Sequence, residues 1–142
     1  MKAILTRLLS TQLSGARFDA VMLFFRVAIG TAMFFIHGWK KITDFAGTAA
    51  HIPDPFGMGG EASAVVAVLA NVVCTGLIII GLFTRPAAAF ILGVTLVGLI
   101  IVHAPDPWAV KDVPLMYSLA FGLVLVLGPG RYSVDYQLFN KK

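Results

Sequence analysis

Two histidines at the ends of two long apolar stretches are the first candidates for chemistry. His37 falls in FFIHGWKK, which ends the first stretch, and His103 falls in LIIVHAPDPW, which ends the third. Imidazole exchanges protons near neutral pH. If the two rings face each other, they predict a proton relay, a site for the oxygen of a quinone or similar head group, or a metal or haem site. The alternative is that both histidines are structural and bond to neighbouring carbonyl groups.

Charged and aromatic residues near both histidines complete the candidate site. In this scheme an imidazole donates to the substrate oxygen, an ammonium group stabilises negative charge, and an aspartate passes protons to water. Lys40 and Asp44 lie at the same end of the first stretch. The predicted catalytic residues are His37, His103, Lys41, Asp106 and Asp112, and the predicted cofactor-binding residues are His37, His103, Trp39 and Tyr117.

The chain does not identify a cofactor by motif. A quinone is the candidate, with haem as the alternative, and no metal ligands are assigned because two histidines alone are a weak metal signature. The one cysteine, Cys74, excludes an internal disulfide and a CxxC redox pair. No pattern predicts flavin, nucleotide or iron-sulfur binding, so a partner or a bound quinone would have to carry any electrons.

Composition indicates which elements position these residues. Of 142 residues, 58% are hydrophobic and 13% are charged, and the mean hydropathy is +0.89, which is typical of a membrane protein. We predict an all-α integral membrane four-helix bundle, a single transmembrane domain over residues 1–142. The four spans are predicted at 18–42, 62–83, 86–103 and 113–127, each near the length that crosses the bilayer. Pro86 and Pro114 are expected in the first turns of their helices.

Segments outside the spans are predicted to lie on both membrane surfaces. Residues 2–14 have the pattern of an amphipathic helix at the interface, or else form a frayed tail. Residues 43–60 are longer than a connection needs, and we expect a short surface helix over 44–51 followed by turns that form a lid, or a disordered connector. Seven Lys and Arg residues on the side of the termini, against three opposite, place both termini in the cytoplasm. A basic stripe interleaved with aromatic residues is absent, so nucleic acid is not expected as a partner.

Several polar and glycine residues have a predicted structural role. Arg26 is costly in a span and needs a partner, and Asp135 is the expected carboxylate, with carbonyl groups at the GPG break as further acceptors. Asn71 is expected to hydrogen-bond a neighbouring helix or to line a cavity. Gly93 and Gly98 would permit close packing in a homo-oligomer. The residues assigned a structural role are Arg26, Asn71, Gly128, Gly130, Arg131 and Asp135.

The chain resembles the DoxX family of small four-helix membrane proteins, named from a subunit of an archaeal thiosulfate:quinone oxidoreductase. The resemblance rests on RVAIGTAMFFIHGWKKI, IPDPFG, GLIIIGLFTR, the third-span histidine and GPGRYSVD. It covers about residues 26–135 and implies a four-helix bundle associated with membrane redox chemistry. Relatives often have a glutamate and a glycine pair where this chain has Asn71, Cys74 and Thr75, so a mechanism needing a carboxylate at mid-depth is not expected. The matching positions are His37, Gly38, Lys40, Gly128, Gly130, Arg131 and Asp135.

The sequence and the resemblance together favour a membrane subunit of an oxidoreductase that binds a quinone or small redox substrate at the outer end of the bundle. If the chain is an enzyme, it is a quinone-linked one. Its expected partners are the lipid bilayer, a redox protein and further copies of itself. The location expected is the inner membrane of a bacterial or archaeal cell. A membrane scaffold or assembly factor is the second hypothesis and a small-solute carrier is the third.

Overall fold

The computed structural model describes residues 15–139, which form helices and no strands. Four of these helices are long and apolar enough to cross a membrane: α1 Gly15–Thr43, α3 Gly60–Ile80, α4 Thr84–Val102 and α5 Trp108–Leu127. Two are short: α2 Phe45–His51 and α6 Val134–Phe139. Helices are favoured because a backbone in lipid must satisfy its own hydrogen bonds. The predicted all-α four-helix bundle is confirmed. The amphipathic helix expected before α1 lies outside the described residues.

The spans alternate in direction and give the bundle two different ends. The loop end carries the segments 44–59 and 103–107, and the terminal end carries the start of α1, the turn 81–83 and the segment after α5. Helix α4 packs along α5, and the first half of α1 packs against the last turns of α3. The core lies between these helices and includes Met33, Ile78, Ile91, Phe121 and Val124.

The fourth span begins five residues earlier than the sequence indicated. Helix α5 starts at Trp108, so Pro114 lies inside the helix and the prediction that it occupies the first turn was wrong. Lys111 and Asp112 limited the apolar stretch, but charged residues do not end a helix whose first turns reach the membrane surface. Pro86, by contrast, lies in the first turn of α4 as predicted.

A buried arginine joins three parts of the terminal end. The Arg26 side chain is 0% exposed. Its guanidinium donates to the carbonyl oxygens of Ile78 at 2.8 Å and Ile79 at 3.4 Å, in the last turn of α3, and to Tyr132 at 2.6 Å, after α5. A helix C-terminus has carbonyl groups without intrahelical donors and a negative dipole end, so a cation is stabilised there. Arg26 therefore bonds to backbone where a direct carboxylate partner was expected.

Asp135 has a different role from the predicted one. Its carboxylate accepts the backbone N–H groups of Phe83 at 2.8 Å and Thr84 at 2.9 Å, which caps the start of α4. Phe83 has a φ of 47°, a left-handed conformation that is costly for a bulky residue. The Asp135 hydrogen bonds help to offset that cost. The expected ion pair between Arg26 and Asp135 is therefore wrong. The Asp135 carboxylate lies near Arg26, but its oxygens accept the N–H groups of Phe83 and Thr84.

The segment after α5 closes the terminal end through an ion pair between Arg131 and Asp19. Asp19, which is buried, accepts the backbone N–H of Arg131 at 2.9 Å, and its other oxygen lies 3.6 Å from the Arg131 Nε. Gly128 and Gly130 both have positive φ, which lets the chain turn back under the bundle as GPG predicted. Gly81 lets the Arg26 guanidinium lie directly against the backbone of the turn, because a Cβ at Gly81 would lie 2.5 Å from the Arg26 Nη1.

Replacing Arg26 tests whether these backbone contacts stabilise the bundle. Arg26→Met should lower the free energy of unfolding by about 3 kcal/mol, because three carbonyl oxygens lose a charged donor. The measurement is unfolding in mixed detergent followed by circular dichroism. Arg17→Met is the matched control, since Arg17 is exposed on the same helix. Equal stability of the two variants would contradict the assigned role.

Candidate functional site

A cavity of about 560 Å³ lies in the half of the bundle nearest the loop end. All four spans and the segment after α2 contribute to its wall. Most of the lining is apolar, and it includes Met33, Val66, Ala67, Val94 and Val97. The polar groups are few and come from different helices: His37, Lys41, Ser63, Asn71, Thr95, His103 and Tyr117. An apolar cavity with a few convergent polar groups is the usual form of a small-molecule site.

Each span departs from regular α-helix geometry where it lines this cavity. Helices α1, α3 and α4 contain π-helical stretches at Phe34–Gly38, Leu69–Cys74 and Gly98–Val102, and α5 contains Pro114. All four features supply lining residues. The first two stretches pack together, and a Cβ at Gly38 would lie 2.5 Å from the Asn71 carbonyl oxygen. Such wide turns occur frequently at functional sites, because they re-aim the side chains within them.

The cavity brings His37, Asn71 and Tyr117 together with their polar atoms available. Within residues 15–139, other side chains bond only the backbone of His37 and Asn71. Lys41 Nζ donates to the His37 carbonyl oxygen, and Thr75 Oγ1 donates to the Asn71 carbonyl oxygen at 2.7 Å. The His37 ring meets the Tyr117 ring edge-on, with 5.2 Å between centroids. Among residues 15–139 the imidazole, the amide and the phenol therefore have no hydrogen-bond partner and can bond a ligand. Asn71, for which a helix-to-helix bond was one expectation, lines the cavity.

His103 lines the same cavity, and its ring is oriented by Asp106 at the loop end. Its Nδ1 lies 2.7 Å from the Asp106 Oδ2, and both side chains are about one third exposed. A carboxylate on one ring nitrogen orients the imidazole and leaves Nε2 for a ligand. The predicted grouping of His103 with Asp106 is therefore present, and it connects the cavity to the loop surface.

The lid segment after α2 is built around Asp54. The Asp54 carboxylate accepts N–H groups of Met58 at 3.0 Å and Gly59 at 2.7 Å, and the hydroxyl of Ser63 in α3 at 3.0 Å. These bonds hold the lid segment, residues 52–58, over the cavity, which it lines with Ile52, Pro53, Pro55, Phe56 and Met58. The same donors lower the pKa of Asp54 from its ordinary value, that of Gly59 most.

Several predicted site residues lie away from the cavity. Trp39 is exposed and contacts the rings of Phe34 and Phe35, so its place is on the outer face of α1. Asp112 is exposed and does not line the cavity, and the same holds for Lys40. Asp44 caps α2 by accepting the Gly47 N–H at 3.0 Å, which confirms the short surface helix expected there. These four residues therefore lie on the surface of the loop end, outside the cavity.

The metal and haem hypotheses depend on the two histidines alone. Among residues 15–139, no group of three or more His, Cys, Asp and Glu side chains is placed to hold a metal ion. His37 and His103 line one cavity, and together they supply two imidazole groups there. The donor set suits a ligand with hydrogen-bonding oxygens better than it suits a metal.

Comparison with known proteins identifies the family. The DoxX family matches residues 21–104, which include most of α1, all of α3 and α4, and most of the cavity wall. The chain belongs to the DoxX family. It is also 35% identical over 115 residues to the Escherichia coli K12 "Inner membrane protein YqjF", covering 78% of this chain and 85% of that protein. It is 30% identical over 132 residues to "Inner membrane protein YphA" of the same strain, covering 85% of this chain and 92% of that protein. No solved structure gives a significant match.

Two aspartates of this DoxX-family chain have roles that the sequence reading missed. Asp54 lies in the turn sequence IPDPFG, and its carboxylate accepts N–H groups four and five residues later, at Met58 and Gly59. An aspartate among Pro and Gly residues signals local bonds from side chain to backbone, and that signal was present in the sequence. Asp19 gave no comparable local signal, since its partner Arg131 is 112 residues away in the chain.

Asp54 allows a test of the lid. Asp54→Ala should raise the hydrogen-exchange rate of peptides covering residues 52–60 about tenfold, because the Met58 and Gly59 N–H groups lose their acceptor. The measurement is exchange followed by mass spectrometry in lipid nanodiscs. Glu61→Ala removes an exposed acidic side chain nearby and is the control. Unchanged exchange in Asp54→Ala would contradict the assigned role.

The same bonds predict how the lid responds to acid. The folded-state pKa of Asp54 is lowered, so the ionised carboxylate stabilises the lid. This stabilisation is present above the ordinary pKa of 3.8 and is lost as pH falls through the lowered pKa. Lid protection in the unmodified chain should therefore persist at pH 5 and weaken only below about pH 4. Protection lost already between pH 6 and pH 5 would contradict this.

Proposed function

We propose that this chain is a multi-pass inner-membrane protein that binds a quinone or a small redox substrate as the membrane subunit of an oxidoreductase. The cavity of about 560 Å³, with its free imidazole, amide and phenol, carries the proposal. Its volume falls within the range of roughly 300–1,000 Å³ found for small-molecule sites. The two Escherichia coli relatives are named inner membrane proteins, which supports the location. The excess of Lys and Arg near the termini supports a cytoplasmic position for both.

In this proposal the wide turn of α1 presents the reactive group. The His37 imidazole donates to a carbonyl oxygen of the ligand, and the Tyr117 ring limits its orientation by the edge-on contact. Lys41 lines the same cavity and places a positive charge near the ligand, which stabilises negative charge that develops on the oxygen. Asn71 supplies both a donor and an acceptor.

Protons and electrons take different routes in this scheme. Reduction of a quinone to a quinol takes up two electrons and two protons. The electrons come from a partner redox subunit, since this chain has no motif for an electron-carrying group. The protons reach the ligand through His103 and Asp106, which connect the cavity to the loop surface. Asp112, the other predicted relay residue, is exposed and stands outside this connection.

The scaffold hypothesis is supported by a separate observation. The loop end exposes large apolar side chains at Phe56, Met58 and Trp108, with exposures of 61%, 50% and 75%. Exposed apolar groups in one region are typical of a surface that contacts lipid or protein. A scaffold that contacts its partner through the loop end would use these residues and would not need the cavity.

Histidine variants distinguish the two functions. His37→Gln should weaken binding of a soluble benzoquinone about tenfold, because the ligand loses one buried hydrogen bond. His103→Gln should reduce quinone turnover with a partner more than it reduces binding, because its role is proton transfer. Binding is measured by tryptophan fluorescence of the protein in nanodiscs. His51→Gln is the control, since His51 bonds the Gly47 carbonyl oxygen at 2.9 Å outside the cavity.

A difference spectrum provides the second measurement. Protein purified gently from its native membrane should show a quinone signal in the reduced-minus-oxidised spectrum, and His37→Gln should diminish it. A featureless spectrum together with equal benzoquinone binding by all three variants would contradict the ligand site. Loss of a co-purifying protein in a Phe56→Ser variant would then favour the scaffold.

A further inference from the structure

The wall of the cavity on α4 continues onto the membrane-facing surface. Ala89, Phe90 and Gly93 line the cavity and are also exposed, with Phe90 at 40%. They lie within the span Thr84–Val102, so the surface that they face is lipid. The cavity therefore opens sideways, between helices, at these three residues.

This opening and the polar groups lie at a similar depth in the bundle. Gly93 precedes the loop end of α4 by nine residues and Ala89 by 13, which correspond to about 14 and 20 Å at 1.5 Å per residue. Asn71 follows the loop end of α3 by 11 residues, which corresponds to about 16 Å. The wide turn that holds Asn71 packs directly against the Thr84–Val97 part of α4. A ligand bonded to Asn71 would thus lie beside the lateral opening.

The lid segment covers part of the loop end of the cavity, whereas the wall on the lipid side is bare. The lid segment lies over the loop end and is held by three hydrogen bonds to Asp54. Near Gly93 the wall is bare: a Cβ built on this glycine would meet no atom within 4 Å. The polar groups thus face an interior that meets the hydrocarbon of the bilayer near Gly93.

We propose that the ligand is a membrane-soluble amphiphile, with an oxygen-bearing polar ring held between His37, Tyr117 and Asn71 and an apolar tail that leaves past Gly93 into the bilayer. This rests on the proposed function and narrows it: a small water-soluble redox compound has no use for the opening. Apolar contact along Ala89, Phe90 and Gly93 adds affinity in proportion to the tail, since each methylene buried in a close-fitting wall gains dispersion contacts. The tail also keeps the ligand at the depth of Asn71.

The test compares two probes and two glycine variants in nanodiscs of one phospholipid composition. The probes are a dimethoxy-methyl-benzoquinone without a side chain and the same quinone with a decyl side chain. The variants are Gly93→Leu, which fills the opening, and Gly122→Leu on α5. Gly122 is the matched control because a Cβ there also meets no atom within 4 Å and the residue does not line the cavity.

The unmodified chain should bind the decyl quinone at least tenfold more tightly than the tailless quinone, after correction for partition into lipid. Gly93→Leu should remove that difference, while Gly122→Leu should change the affinity for neither probe. Equal affinity for both probes in the unmodified chain, or equal effects of the two variants, would overturn the lateral opening while the ring site stands. Binding of neither probe would overturn the proposed function itself. A changed oligomeric state in Gly93→Leu with unchanged binding would assign Gly93 to helix contact and overturn the inference.

Discussion

The terminal end of the bundle depends on one buried cation, the guanidinium of Arg26. Its three acceptors are backbone oxygens from the last turn of α3 and from the segment after α5, so one side chain fixes three parts of the chain. A charge inside a membrane span is costly unless it is bonded within the protein. Carbonyl groups in the last turn of a helix lack most of their intrahelical donors, so the cation and the end of α3 stabilise each other. Arg26 thus holds α1, the end of α3 and the segment after α5 together at the terminal end.

Polar groups are used differently at the two ends. At the terminal end, Asp19 and Asp135 bond to backbone N–H groups on other segments, as Arg26 does to carbonyl oxygens. In the cavity, the His37 ring and the Asn71 amide have no such partners among residues 15–139. Buried polar groups in proteins are generally hydrogen-bonded. The contrast therefore separates residues that hold the DoxX-family fold from the cavity residues on which the proposed ligand site depends.

The sequence predicted the elements well and their interactions less well. The four spans, the short helix over 45–51 and the turn at GPG follow from hydropathy and turn chemistry, which act locally. The roles of Asp19 and Asp135 could not be derived, because each depends on a partner at least 51 residues away. Single-residue patterns also give no signal for the π-helical stretches, since the residues in FFIHG and LANVVC suit a regular helix equally well. His37 and His103 were predicted to share a site, and both line the cavity. Asn71 had been assigned a structural role, but it also lines the cavity. Trp39 was predicted in the site and lies outside the cavity.

The wide turns also change the angular phase of the helices. A π-helical turn holds one residue more than an α-helical turn, so side chains beyond it are rotated by about 100° relative to a helix of constant period. Helix α1 therefore presents one face to its neighbours between Gly15 and Met33 and a different face from Trp39 onward. A helical wheel drawn with a single period would merge these two faces. It would therefore misplace Lys41, which follows the π-helical stretch, relative to the residues before Met33. Because three spans change phase at the cavity, its shape is set by backbone rotation, and changes in side-chain size alone would not reproduce it.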